Sequence, residues 1–199
     1  SVAKPEWGST LRDSICSRTT YPAAAALSAV GTLPQDRTET MELHSQPVGG
    51  VTAEDAESPL EGSTWYVTEV TDAGFTYRFE PGTFAEGAWL TMDMLLDGRD
   101  AALFLLELQE GEDGPTFKLQ FGLLNQCSAR VRVPLSAADQ SRWNLGREGA
   151  WLKPLCHGDR VDPARVDRIR LTVKRKSEEH LRWCQTPLGV TDEEPDRLE

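Results

Sequence analysis

Residues 89–135 constrain the fold more than any other stretch of this chain. Their middle, residues 101–109, is the most apolar run present and is bounded by turn residues. A run that short and that apolar predicts a buried strand, because a buried helix needs ten residues or more. Before it, residues 89–96 alternate, and Asp97-Gly98-Arg99-Asp100 predicts a tight turn between the two. After it, Glu110-Gly111-Glu112-Asp113-Gly114-Pro115 predicts a second turn. Residues 117–121 and 127–133 follow, both with period two. Four consecutive strands with short polar connections are expected, forming a meander.

Four further strands are expected on either side. Residues 65–70 and 75–79 have β-branched and aromatic content, with a turn at Asp72-Ala73-Gly74. Residues 168–174 alternate strictly, and 181–186 supply the last strand. Residues 136–163 form a connection too long for a hairpin. Residues 1–30 are expected to be partly helical. Ser9 or Thr10 would cap a helix through Ser17, and Pro22 would start a second through Ala29. Residues 31–61 are rich in Pro, Gly, Thr, Ser and acids and predict a long loop. The organisation expected is an N-terminal helical segment and acidic linker (1–62), an all-β antiparallel jelly-roll sandwich (63–190) and a disordered tail (191–199).

The net charge of −11 argues against non-specific nucleic-acid binding. No apolar stretch approaches the roughly 20 residues that span a bilayer, and no membrane partner is expected. The chain begins without Met and ends in Leu198-Glu199, as expected of a piece trimmed from a longer protein. Charge is uneven: residues 115–183 carry 14 basic and 7 acidic side chains, whereas 1–114 carry 6 and 20. The basic part either prefers an anionic partner or is neutralised by the acidic part across the fold. Cys16, Cys127, Cys156 and Cys184 include no Cys-x-x-Cys pair, so no zinc site is expected. Cys127 reads as a small core residue. Cys156 and Cys184 flank the last strands and could pair.

Catalytic signals are weak. There is no Gly-x-Ser-x-Gly, no His-Glu-x-x-His and no phosphate-binding glycine loop. His44, His157 and His180 are far apart in sequence. Asp93 and Glu107 fall in strands, where each must face water or pair with a base. A glycosidase would need two such carboxylates facing each other across a cleft. Asp97 and Asp100 could ligate calcium, but turn chemistry accounts for both.

Two candidate binding regions stand out. The first is the loop 142–160, which gathers Trp143 and Trp151 with Arg142, Arg147, Lys153, His157 and Asp159. Aromatic rings can cover the apolar face of a sugar while neighbouring polar groups reach its hydroxyls. Alternatively, the tryptophans plug the open end of the sandwich. The second is a cationic sheet face. Lys118, Arg130, Arg132 and Arg170 alternate with apolar residues and would share one face if their strands were neighbours. Such a face could hold an acidic polysaccharide, or be paired to acids from the N-terminal part.

The ordered series through Trp89-Leu-Thr-Met-Asp-Met-Leu-Leu-Asp-Gly-Arg-Asp100, Ala129-Arg-Val-Arg-Val-Pro-Leu135 and Val161-Asp-Pro-Ala-Arg-Val-Asp-Arg-Ile-Arg-Leu-Thr-Val173 resembles a known family. It is similar to the galactose-binding-like jelly-roll modules beside the catalytic barrels of agarase-like and other polysaccharide-degrading enzymes. The resemblance spans roughly residues 64–190. It implies a non-catalytic, secreted carbohydrate-binding module, with a polysaccharide or oligosaccharide and a catalytic domain of the parent protein as partners. It equally allows a structural accessory domain without a sugar site, and a small glycoside hydrolase or lyase is a third reading. Such modules often carry structural calcium. No ligand set for it matches here, and no other cofactor is expected. The tryptophan-rich loop and the N-terminal segment depart from the simplest form of the family.

Overall fold

In the computed structural model, residues 40–85, 87–138 and 156–192 are described. They form β1 (Met41–Glu42), β2 (Ser45–Val48), β3 (Thr52–Glu54), β4 (Thr64–Thr68), β5 (Gly74–Arg78), β6 (Trp89–Asp97) and β7 (Ala102–Gln109). The series continues with β8 (Thr116–Leu123), β9 (Ser128–Pro134), β10 (Cys156–Gly158), β11 (Arg168–Arg175), β12 (Leu181–Gln185) and β13 (Gly189–Thr191). All pairings between these strands are antiparallel and build two sheets. One has six strands in the order β10-β8-β7-β11-β5-β2. The other has seven. In it β6 pairs with β9 on one side and, end to end, with β12 and β13 on the other. The chain is the all-β jelly-roll sandwich that its alternation predicted.

The period-two pattern sets what lies between the sheets. Leu90, Met92, Met94 and Leu96 of β6 point inward, as do Phe104, Leu106 and Leu108 of β7. Trp183 sits at the centre, with its ring 5.8–6.5 Å from those of Tyr66, Phe75 and Phe104. Its indole N–H donates to Gln185 Oε1 at 2.9 Å, which satisfies a buried donor inside an apolar layer.

All eight strands expected from sequence are present, but the meander is not. Only β7 and β8 form the expected hairpin. Gly114 is required in its turn, since a Cβ there would lie 1.7 Å from Glu110 O. β6 and β7 lie in different sheets, so the turn at 97–100 carries the chain across the sandwich. Alternation reports an inward and an outward face but not which sheet a strand joins. Each sheet must cover its apolar face with the other, and several consecutive strands therefore change sheet. β8 to β9 and β11 to β12 cross in the same way. The Glu178 carboxylate, in the β11–β12 crossing, accepts the backbone N–H groups of Arg99 and Asp100 in the β6–β7 crossing.

Three other expectations change. Residues 41–54, expected to be loop, carry β1–β3, and β2 and β3 are the outer strands of the two sheets. Most of their side chains face water and β2 holds Pro47, so their composition reads as loop although their backbones are paired. Cys127 is exposed rather than in the core. Cys156 and Cys184 belong to different sheets and both are free thiols. The expected N-terminal helices and the tail from residue 193 lie outside the described residues.

Candidate functional site

The outer face of the six-stranded sheet carries an ordered row of polar side chains. In an antiparallel sheet, directly opposed residues project to the same side. The register places His157 opposite Lys118, Lys118 opposite Glu107, Glu107 opposite Arg170, Arg170 opposite Thr76 and Thr76 opposite Gln46. One side chain from each of the six strands therefore lies on a line. Five steps of about 4.8 Å make it roughly 24 Å long. A second row runs beside it through Thr116, Gln109, Arg168 and Arg78. Between the rows lies a depression of about 180 Å³ lined by Glu107, Gln109, Thr116, Lys118, Arg168 and Arg170.

Glu107 organises the first row. Its Oε1 is 3.0 Å from Lys118 Nζ and its Oε2 is 3.5 Å from Arg170 Nη1. The carboxylate is largely buried while both cations stay more than a third exposed, so they keep hydrogen-bonding capacity toward solvent. In the second row Arg168 Nη1 donates to Gln109 Oε1 at 3.3 Å, and Gln109 Nε2 donates to Glu112 O at 2.9 Å. Arg168 Nε is buried without a hydrogen-bond partner.

The edge strand β10 brings part of the first candidate region onto this face. Asp159 Oδ2 accepts the Thr116 N–H at 3.1 Å, and Asp159 N donates to Thr116 O at 2.8 Å. Gly158 has φ +92° and leaves no room for a Cβ, which would lie 2.4 Å from Thr116 O. This close seating fixes exposed His157 beside Lys118. Trp143, Trp151, Arg142, Arg147 and Lys153 lie outside the described residues.

The single cationic face expected from Lys118, Arg130, Arg132 and Arg170 is corrected. Lys118 and Arg170 share the face just described, but β9 carries Arg130 and Arg132 to the outside of the other sheet. The chain crosses the sandwich between β8 and β9, and a one-dimensional pattern does not record that crossing. Arg130 there makes a two-pronged pair with Asp93, Nε to Oδ1 at 2.8 Å and Nη2 to Oδ2 at 3.0 Å. Arg132 stands opposite Thr91, with Nε and Nη2 buried and unpartnered. Asp93 and Glu107 both pair with basic neighbours, as the sequence required of carboxylates in strands.

Sequence reasoning passed over Arg78, Thr76 and Gln46. The signal for the first two was present in Phe75-Thr76-Tyr77-Arg78, whose odd positions are core and whose even positions turn to the other side of the sheet, where Arg78 is exposed and Thr76 buried. Gln46 was hidden in the segment read as loop.

Other positions offer less. The cavity of about 570 Å³ at one end of the sandwich includes Glu110. Both oxygens of that carboxylate are engaged, by Asp162 N at 2.7 Å and Arg165 Nε at 3.2 Å. Asp97, in the turn that carries Asp100, pairs with Arg182. Among the described residues no cluster of three or more His, Cys, Asp or Glu could hold a metal ion. His180 Nδ1 lies 3.3 Å from Glu69, both largely exposed.

No protein-family profile matches the chain, and no curated protein matches its sequence. Solved structures do match. The structure of PfGH50B aligns with TM-score 0.57 and 10% identity over 78% of this chain. An agarase, AgWH50C, aligns with TM-score 0.55 and 9% identity over 82%. The chain spans about a quarter of those proteins, 24% and 26% respectively. A family 11 carbohydrate-binding module of the cellulosomal cellulase Lic26A-Cel5E of Clostridium thermocellum aligns with TM-score 0.48 and 9% identity, over 79% of this chain and 94% of that one. The shared fold rests on the first two: this sandwich occurs as one part of larger proteins.

Proposed function

We propose that this chain is a non-catalytic carbohydrate-binding module of a larger, secreted, polysaccharide-active protein. It holds a glycan along the outer face of the six-stranded sheet. The observation that carries this reading is the row His157–Lys118–Glu107–Arg170–Thr76–Gln46, one hydrogen-bonding side chain per strand. A glycan is an extended chain of closely spaced hydroxyls. A row of donors and acceptors on rigid strands suits it, because little ordering entropy is lost on binding. The aromatic rings of β5, β7 and β8 all point into the core. Stacking would therefore come from Trp143 and Trp151, with Arg142, Arg147 and Lys153 beside them. The shared fold with an agarase supports a polysaccharide as ligand and a catalytic domain as neighbour. No helix among the described residues is long and apolar enough to cross a membrane.

The test is affinity electrophoresis through gels cast with neutral and acidic polysaccharides. The chain should be retarded by at least one glycan. The doubly substituted Lys118→Ala, Thr76→Ala protein, with its fold verified by circular dichroism, should be retarded less. Neither side chain belongs to the apolar cluster between the sheets: Lys118 is half-buried, and Thr76 is buried on the opposite side of β5 from Phe75 and Tyr77. Trp143→Ala and Trp151→Ala report on the loop. No retardation by any glycan would leave a structural accessory domain as the better account.

A further inference from the structure

The second row on the same face is not balanced in charge. Arg78 and Arg168 are directly opposed across β5 and β11. Like charges opposite one another on a sheet destabilise it unless something neutralises them. Nothing among the described residues does: Arg78 and Arg168 form no ion pair. Arg168 is half-buried, and its single hydrogen bond is to a neutral amide. One further N–H, at Nε, is buried and unmatched. The face as a whole sets four cations, Lys118, Arg168, Arg170 and Arg78, against the Glu107 carboxylate, which is already shared by two of them. Asp159, at the rim, has one oxygen committed to Thr116 N.

The imbalance is unusual in a chain of net charge −11. On the other sheet and at the sandwich end several basic side chains find acids: Arg130 finds Asp93, Arg165 finds Glu110, and Arg182 finds both Glu54 and Asp97, whereas Arg132 resembles Arg168 in having buried N–H groups without a partner. Two directly opposed arginines without an acid, one of them lining a polar depression, are suited to a planar or tetrahedral oxyanion, which guanidinium N–H donors bind strongly. The Debye length at physiological ionic strength is about 8 Å, so this patch sets the local potential and the distant acids do not.

We infer that the Arg78–Arg168 pair holds the charged substituent of an acidic glycan, a carboxylate or a sulfate ester, while the Glu107 row holds hydroxyls of the adjacent sugars. The inference rests on the glycan-binding reading and narrows its ligand class. Neutral polysaccharides leave the pair unmatched and bind more weakly.

The experiment is calorimetric titration of the full chain with a neutral galactan oligosaccharide, the same oligosaccharide bearing sulfate esters, an oligouronate of equal length and inorganic sulfate. At least one acidic oligosaccharide should bind about tenfold or more tightly than the neutral one, a difference of about 1.4 kcal/mol. Sulfate and uronate arms tell the two anions apart. The Arg78→Gln, Arg168→Gln protein should lose that preference, whereas Arg78→Lys, Arg168→Lys should retain part of it. Glu107→Gln, which frees Lys118 and Arg170, should tighten acidic ligands. Equal affinity for neutral and acidic oligosaccharides would overturn the inference and leave the glycan reading standing. So would an acidic preference untouched by the arginine substitutions. Binding of inorganic sulfate through Arg168, without further gain from any oligosaccharide, would keep the anion site and overturn the glycan reading.

Discussion

At the scale of single residues, Gln185 is the most consequential polar group inside the sandwich. It is 4% exposed and accepts the Trp183 indole N–H at 2.9 Å. One amide thus satisfies a buried donor in the middle of the apolar layer. Gln185→Leu fills the same space but strands that indole N–H. It should cost about 1–3 kcal/mol, the usual range for a buried donor left unpaired. Urea denaturation of the two proteins measures this directly. Tyr77 provides a pH signature. Burial pushes its phenol well above the ordinary value near 10, and the hydrogen bond with Gln185 only partly offsets that. Above about pH 10 the unfolded chain releases this proton and the folded protein keeps it. Stability should therefore be intact below pH 10 and fall as pH rises further. The loss should be shallower in Tyr77→Phe, and denaturation midpoints between pH 9 and 11.5 would show the difference. Such pairings follow from which strand faces which, so they leave no trace in local sequence. Cys127 shows the same limit: its place beside a strand suggested burial, yet its side chain is exposed.

At the scale of elements, the contact between β5 and β11 is a close backbone approach in the middle of the six-stranded sheet. A Cβ at Gly74 would stand 1.9 Å from Leu171 O and 2.8 Å from Thr172 Cα. Both are backbone and cannot give way without moving a central strand. Gly74→Ala should therefore cost about 3 kcal/mol or more, beyond ordinary overpacking. A lowered thermal midpoint, with weakened glycan binding in step with it, would confirm the effect. In Gly82→Ala the added Cβ meets nothing, and only its φ of +84° is strained, so a smaller loss is expected. The second clamp is on the other sheet. Arg182 lies 3.8 Å over the Trp65 ring and joins Glu54 of β3 to Asp97 of β6. These groups are about a third exposed, so Arg182→Met should cost only about 1–2 kcal/mol. The eight longer strands were legible because each buries one face, and burial writes a period of two. The short strands β1, β2, β3, β10 and β13 escaped sequence analysis. Three residues show too little alternation to separate a strand from a turn, and edge strands such as β2 expose most of their side chains.

At the scale of the molecule, the uneven charge along the chain becomes a pattern of pairing. Asp93, Glu107, Glu110, Glu54 and Asp97 come from the acidic part, and Arg130, Lys118, Arg170, Arg165 and Arg182 from the basic part. The neutralisation read from sequence as one alternative does occur in these pairs, while Arg78 and Arg168 on one sheet and Arg132 on the other form no ion pair among the described residues. The extent of the sandwich is a second property of this scale. A chain starting at Ser63 loses β2 and β3 from the sheet edges, together with Leu43 and the Glu54 contact to Arg182. Against a chain starting at Thr40 it should be several kcal/mol less stable, because three strands, β13, β5 and β4, lose a hydrogen-bonded neighbour and core surface is uncovered. Guanidinium unfolding of the two would show whether β1–β3 are integral to the fold.

The sequence by itself determined the class of fold, the eight principal strands, the face each strand turns inward and the absence of a strong catalytic signature. All of these are periodic or compositional, and physical burial imposes them on the residues in order. Only the tertiary structure decided which strands are neighbours. That decision split the expected cationic face in two, sent Arg130 to Asp93, set Lys118 and Arg170 on either side of Glu107, and brought Arg78 opposite Arg168. The reason is that a period of two specifies a direction for each side chain and nothing about partners. Partners are chosen when the chain crosses between sheets, and the crossings answer to the burial of both apolar faces at once rather than to any local run of residues.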